Sequence, residues 1–173
     1  MPKPKKRREK AYRQKPKLAN PVAYAIEGQS LAGLTHPDTL MRSRVLNHDA
    51  LEAIRLGKGT YEHLNLLVNA VNMAMGLCRV GIGAEFNEDI GRALDAMHDM
   101  AHRWQDKGSM AFTGPELAAM RVALDLHDQQ LDYATVRELE RAKVIVQTII
   151  INKRARTLKR PPHAATSHEV CPG

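Results

Sequence analysis

The sequence predicts an all-α fold: a helical bundle of about five helices with a basic N-terminal arm and a Pro-rich C-terminal tail. Three observations point there. Apolar residues make up 43% of the 173 residues but aromatics only 4%, so the core must come from Leu, Ile, Val, Met and Ala, a composition that suits helices better than a sandwich or barrel. From Pro37 onward, apolar residues recur at spacings of three and four, which line one face of a helix. Helix-start and helix-stop signals break that pattern into segments of ordinary helical length.

Residues 1–21, MPKPKKRREKAYRQKPKLANP, hold no core element. Prolines at 2, 4, 16 and 21 and the density of charge keep them extended and solvated, so they read as a disordered basic arm. The stretch from Val22 to Thr35 is short and interrupted by Gly28 and Gly33, with Val22, Tyr24 and Ile26 as candidates to pin it to the body. A first long helix begins at Pro37, carries Leu40, Met41, Arg44, Val45, His48, Leu51 and Ile54, and ends at Gly57–Gly59. Thr60 caps a second helix, whose stripe is Leu64, Leu67, Val68, Val71, Met75 and Cys78, ending near Gly81–Gly83. A third runs from about Ala84 to Lys107 with Phe86, Ile90, Ala93, Leu94, Met97, Ala101 and Trp104 facing the core, and Gly108 stops it.

The stretch from Phe112 to Lys143 carries two capping boxes, Thr113 with Glu116 and Thr135 with Glu138. They predict a fourth helix with Leu117, Met120, Leu124, His127 and Leu131 inside, and a fifth with Val136, Leu139, Ala142, Val146 and Ile149. A break is expected near Tyr133–Ala134; a single continuous helix is the alternative, since no Gly or Pro interrupts Glu116 to Arg160. The segment VIVQTIII at 144–151 is apolar on almost all sides. As a helix it needs cover for its outer faces, and a homodimer or a partner interface would provide it. The bundle domain is assigned to 22–158 and a disordered tail to 159–173.

The net charge of +7 is segregated. Residues 1–17 contribute about +8, the tail from Lys153 onward about +4, and the part between them about −5. An acidic helical body therefore carries two basic ends. Nine cations crowded into seventeen residues suit contact with phosphate backbones through counterion release, and Tyr12 within the run suits stacking on a base. The candidate nucleic-acid-binding residues are Lys5, Lys6, Arg7, Arg8, Lys10, Tyr12, Arg13, Lys15 and Lys17 in the arm, with Lys153, Arg154 and Arg156 at the other end.

Cys78 and Cys171 are too few for a disulfide framework or a Cys-based zinc site; Cys78 falls on an apolar stripe and reads as a small buried hydrophobe. No apolar run is long enough for a membrane span and no hydrophobic segment follows the basic N-terminus, so the chain is expected to be cytosolic and soluble. GKGT at 57–60 lacks the frame and the preceding strand of a phosphate loop, and TYEHLNLLVNAVNMAM lacks the basic residues of a recognition helix. No nucleophile elbow, dinucleotide fingerprint or Cys-x-x-Cys pair occurs, so no catalytic residue, resident metal or cofactor is assigned.

One constellation supports a rival enzymatic reading. His-Asp dipeptides stand at 48–49, 98–99 and 127–128, a feature similar to metal-dependent HD phosphohydrolases. Asp95, His98, Asp99 and His102 share one side of the third helix, and His98 and His102, four residues apart, can reach one metal ion, with His127 and Asp128 as possible partners. The competing reading is that such pairs merely stabilise an exposed helix face. His127 likewise reads as a half-buried core histidine hydrogen-bonded across a helix interface, or as a ligand or acid–base group.

The Tyr-Arg-x-Lys-Pro run at Tyr12–Pro16, NHDALEAIRLGKGT at 47–60 and FTGPELAAMRVALDLHDQQLD at 112–132 resemble a loose group of small uncharacterised proteins of proteobacterial phages, prophages and plasmids, along about two thirds of the chain. That resemblance implies a mobile-element accessory protein and carries no active-site residue with it. The expected function is therefore an interaction module, a regulator or inhibitor of a host or phage complex, with a nucleic-acid-contacting arm. The alternatives are an HD-like hydrolase and a module that sequesters a protein through its acidic body with no nucleic-acid role.

Overall fold

The computed structural model describes residues 25–152, and among them the fold is all-α. The elements are α1 (Ala32–Thr35), α2 (Pro37–Arg55), α3 (Tyr61–Val80), α4 (Asn87–Lys107), α5 (Gly114–Tyr133) and α6 (Val136–Ile151), with a short 3-10 turn at Ala84–Phe86 leading into α4. No helix among the described residues is long and apolar enough to cross a membrane.

The bundle is built round α3. Between Glu62 and Arg79 that helix carries no Asp, Glu, Lys or Arg, so it can be surrounded without burying a charge. It packs against α2, α4, α5 and α6. Leu64, Leu67, Ala70, Val71, Ala74, Leu77 and Cys78 are all buried. Thr60 caps it as expected, but His63 occupies the place of the usual Glu: the Thr60 N–H donates to His63 Nδ1 at 3.1 Å. Gly81, at φ 109°, ends it in the left-handed conformation that favours glycine.

α2 begins at Pro37 and buries Asn47, Ala50, Leu51 and Ile54. Met41 and Val45, which fit the helical spacing, are exposed. The reason is that the first half of α2 meets α5 through polar groups, Arg44 and His48, rather than through an apolar face. α4 starts at Asn87, three residues after the expected Ala84, which belongs to the 3-10 turn. Its stripe of Ile90, Ala93, Met97, Ala101 and Trp104 is buried as the spacing predicts, and Gly108 ends it at φ 71°. Trp104 sits with Leu64 and Met100 in a small cluster of their own, its ring 6.2 Å from that of Tyr61.

α5 and α6 are separate helices. Ala134 is extended, at φ −70° and ψ 135°, between two capped ends. The Thr113 N–H donates to Glu116 at 2.8 Å, and Arg103 of α4 forks onto the same carboxylate, tying α4 to the start of α5. Burial raises the Glu116 pKa, but Arg103 and Thr113 together outweigh it and hold the carboxyl below its usual range. At the start of α6 the Thr135 N–H and hydroxyl donate to Glu138 at 2.8 and 2.7 Å.

The linker before α1 is pinned mainly through backbone groups. The first amides of α6 have no partner inside their own helix, and here Val136 N–H donates to Ser30 O and Arg137 N–H to Gly28 O, each at 3.1 Å. Ala32 N–H donates to Ala134 O at 2.9 Å, and Ala32 is fully buried. Ile26 is 64% exposed and pins nothing; Val22 and Tyr24 lie outside the described residues.

α6 lies on α3. Gly76 makes their close approach possible: a Cβ there would stand 3.0 Å from the Ala142 carbonyl oxygen and 3.2 Å from Val146 Cγ2. Ala142 is the buried residue of α6.

Candidate functional site

α6 is where the sequence and the structure disagree with a closed core. Its inner face, Leu139, Ala142, Val146 and Ile149, meets α3, but Val144 is 59% exposed, Ile150 56% and Ile151 77%. A segment that is apolar except for Gln147 and Thr148 therefore borders solvent, and α6 has a groove on each side.

On one side α6 diverges from α4 over the floor of α3. The cleft has a volume of about 450 Å³ and is walled by Val146, Ile149 and Ile150 of α6 and by Leu94, Asp95 and His98 of α4. On the other side, where α3 ends, a shallower groove of about 590 Å³ is floored by Val80, Val144 and Ile145 and edged by Arg79, Arg137 and Arg141, with Glu140 its one acid. Among the described residues no ion pair joins these three arginines to a carboxylate. The Arg137 guanidinium donates to the Ala25 carbonyl at 3.4 Å.

The His/Asp constellation does not assemble. His98 and His102 do meet, with Nε2 atoms 3.1 Å apart and rings edge to face. Asp99 stands 3.8 Å from His98 Nδ1. His127 and Asp128 do not join them: Asp128 turns to α2, accepting from His48 Nε2 at 3.0 Å, while the Arg44 guanidinium reaches the Asp128 carbonyl at 3.0 Å and the Asp132 carboxylate. Two of the three His-Asp dipeptides thus contribute to one polar clasp between α2 and α5. Among the described residues no group of three or more His, Cys, Asp or Glu side chains is placed to hold a metal ion.

His127 is more buried than expected, at 4% exposed, and its Nδ1 has no hydrogen-bond partner among the described residues. Burial pushes its pKa down to about 4, against smaller upward contributions from Gln130 and Asp128. It is a neutral core imidazole, not hydrogen-bonded across the interface through that nitrogen. Gln130, one turn on, ties three chain segments together: its Nε2 donates to Ile82 O at 2.8 Å and to Ala74 O and Cys78 Sγ at 3.2 Å. Cys78 is buried as expected and donates to Gly83 O at 3.0 Å; burial raises its thiol pKa.

The arm candidates Lys5, Lys6, Arg7, Arg8, Lys10, Tyr12, Arg13, Lys15 and Lys17, and Lys153, Arg154 and Arg156, lie outside the described residues. Sequence reading missed the Arg79–Arg137–Arg141 groove. Half of its signal was legible, since Arg137, Arg141, Val144 and Ile145 recur at helical spacing; that Arg79 and Val80 lie beside them is a product of the α3–α6 packing.

The fold and this surface define a helical bundle that leaves one apolar helix uncovered. Comparison with protein-family models, with curated proteins and with solved structures finds no match to this chain.

Proposed function

We propose that this chain is a non-enzymatic α-helical interaction module, an accessory protein of a phage or other mobile element that regulates or inhibits a host or phage complex. The body engages a protein partner through α6, and the basic ends contact nucleic acid. The observation that carries the reading is the outer half of α6, where Val144, Ile150 and Ile151 border solvent although the same chain buries comparable residues elsewhere. The charge segregation supports the nucleic-acid part: the cations are concentrated at the two ends, away from the acidic body.

A salt titration of binding to labelled duplex DNA, single-stranded DNA and RNA tests the arm, with the full chain set against a chain beginning at Leu18. A steep salt slope that the shortened chain loses supports phosphate contact by the arm. Equal binding by the two removes the arm's role, and absence of binding removes the nucleic-acid part. Sedimentation of the full chain tests the body's self-association: a homodimer that Val144→Asp disrupts would make residues 144–151 a self-interface.

A further inference from the structure

We infer that the groove floored by Val80, Val144 and Ile145 and edged by Arg79, Arg137 and Arg141 docks an acidic amphipathic segment of a partner protein. This rests on reading the body as an interaction module and is independent of what the basic arm does.

Charge and apolar surface occur together in this groove, and an acidic amphipathic helix satisfies both. Arg137, Arg141 and Val144–Ile145 sit on successive turns of α6, so cations and aliphatic floor run along the helix axis for about 12 Å at 1.5 Å per residue, roughly two turns of a docked helix. A partner with aliphatic residues on one face and carboxylates one turn apart at its edges covers Val144 and Ile145 while its carboxylates meet guanidinium groups that no carboxylate pairs among the described residues. Arginine's fixed fork suits such capture better than lysine would.

The other occupants fit less well. The chain's own N-terminal arm, about +8 over residues 1–17, has the same sign as the groove edge. In a two-fold pairing of this patch on itself, Glu140 is the one groove carboxylate that either copy offers to the other's three arginines. A nucleic-acid backbone satisfies the arginines but leaves the aliphatic floor uncovered, and the groove has no aromatic ring for a base to stack on.

The test is a selection of random peptides displayed on phage against the full chain, followed by fluorescence anisotropy with a labelled synthetic copy of the enriched sequence. The enriched peptides should be net acidic with aliphatic residues at helical spacing. Their binding should weaken by about tenfold or more in Arg79→Glu and in the double variant Arg137→Glu/Arg141→Glu, and should weaken as salt is raised. Replacing the peptide's acidic residues by Lys should abolish it. Arg79 is exposed, and unchanged Trp104 emission shows that its variant keeps the core. Enrichment of neutral or basic peptides, or equal binding by the charge-reversed variants, overturns the inference while leaving the module reading in place. Displacement of duplex DNA at Arg79 and Arg141 with no acidic peptide bound, or a dimer that Val144→Asp dissociates, overturns it in favour of nucleic acid or a second copy. Failure to enrich any peptide, with no dimer, removes the module reading as well.

Discussion

α3 and α6 are both rich in aliphatic residues, yet one is enclosed and the other is not. α3 has α2, α4, α5 and α6 as neighbours, and its large side chains Leu64, Leu67, Val71 and Leu77 are at most 1% exposed. α6 rests on α3 and on the short segment round α1, and its outer residues face solvent although Ile and Val are no more polar than Leu. Apolarity alone therefore does not place a helix at the centre; the number of neighbours does. An apolar helix with one main neighbour is either waiting for another or wasted.

The contrast can be broken most sharply inside α3. Leu67→Ala, at a fully buried position, should cost about 2–5 kcal/mol in denaturant unfolding, the range for cavities in a packed core. Acid should come next. His127 is held neutral in the folded chain, with its pKa lowered from 6.5 to about 4, while the unfolded chain protonates it at the ordinary value. Its contribution is therefore intact above pH 6.5 and is lost progressively as the pH falls to 4, by about 3 kcal/mol, with no further loss below that. Stability measured against pH for the natural chain minus His127→Leu should show that window; a flat difference would mean that the imidazole charges freely in the fold.

Gly76→Val tests the seam between the two helices. Its side chain would press on Ala142 and Val146, so about 1–3 kcal/mol should be lost, with faster hydrogen exchange in α6 than in α4. Unchanged exchange in α6 would show that the seam does not hold that helix. Smaller still, Thr135→Ala removes the hydroxyl that caps α6 and should cost about 1 kcal/mol, read as fraying confined to the first turn of α6.

Much of this fold was legible in the chain. Thr60, Thr113 and Thr135 mark helix starts, and Gly81 and Gly108 mark ends, because caps are local chemistry that neighbours do not rewrite. The stripe of α4 was legible for the same reason that it is simple: one face is apolar and the other charged. Spacing placed Met41, Arg44, Val45 and His48 on one helix but did not say which of them face inward: Arg44 and His48 make the interface with α5, and Met41 and Val45 are exposed. The centrality of α3 was visible as a stretch without Asp, Glu, Lys or Arg from 63 to 78, a signal that spacing arguments do not weigh. The uncovered half of α6 was anticipated from VIVQTIII, but the arginine-edged groove was not, since residues 79 and 137 meet only through tertiary packing. The meeting of His48 with Asp128 was equally out of reach: three identical dipeptides give no hint of which will pair.

The most direct test of the account is the unfolding free energy of the full chain carrying Val144→Glu and Ile151→Glu together, measured at several protein concentrations. If the outer half of α6 is open in the free chain, stability stays within about 0.5 kcal/mol of the natural chain at every concentration, as surface substitutions do. A loss of several kcal/mol, comparable to Leu67→Ala, would place these residues in the core and contradict the reading of α6 as an unfilled interface.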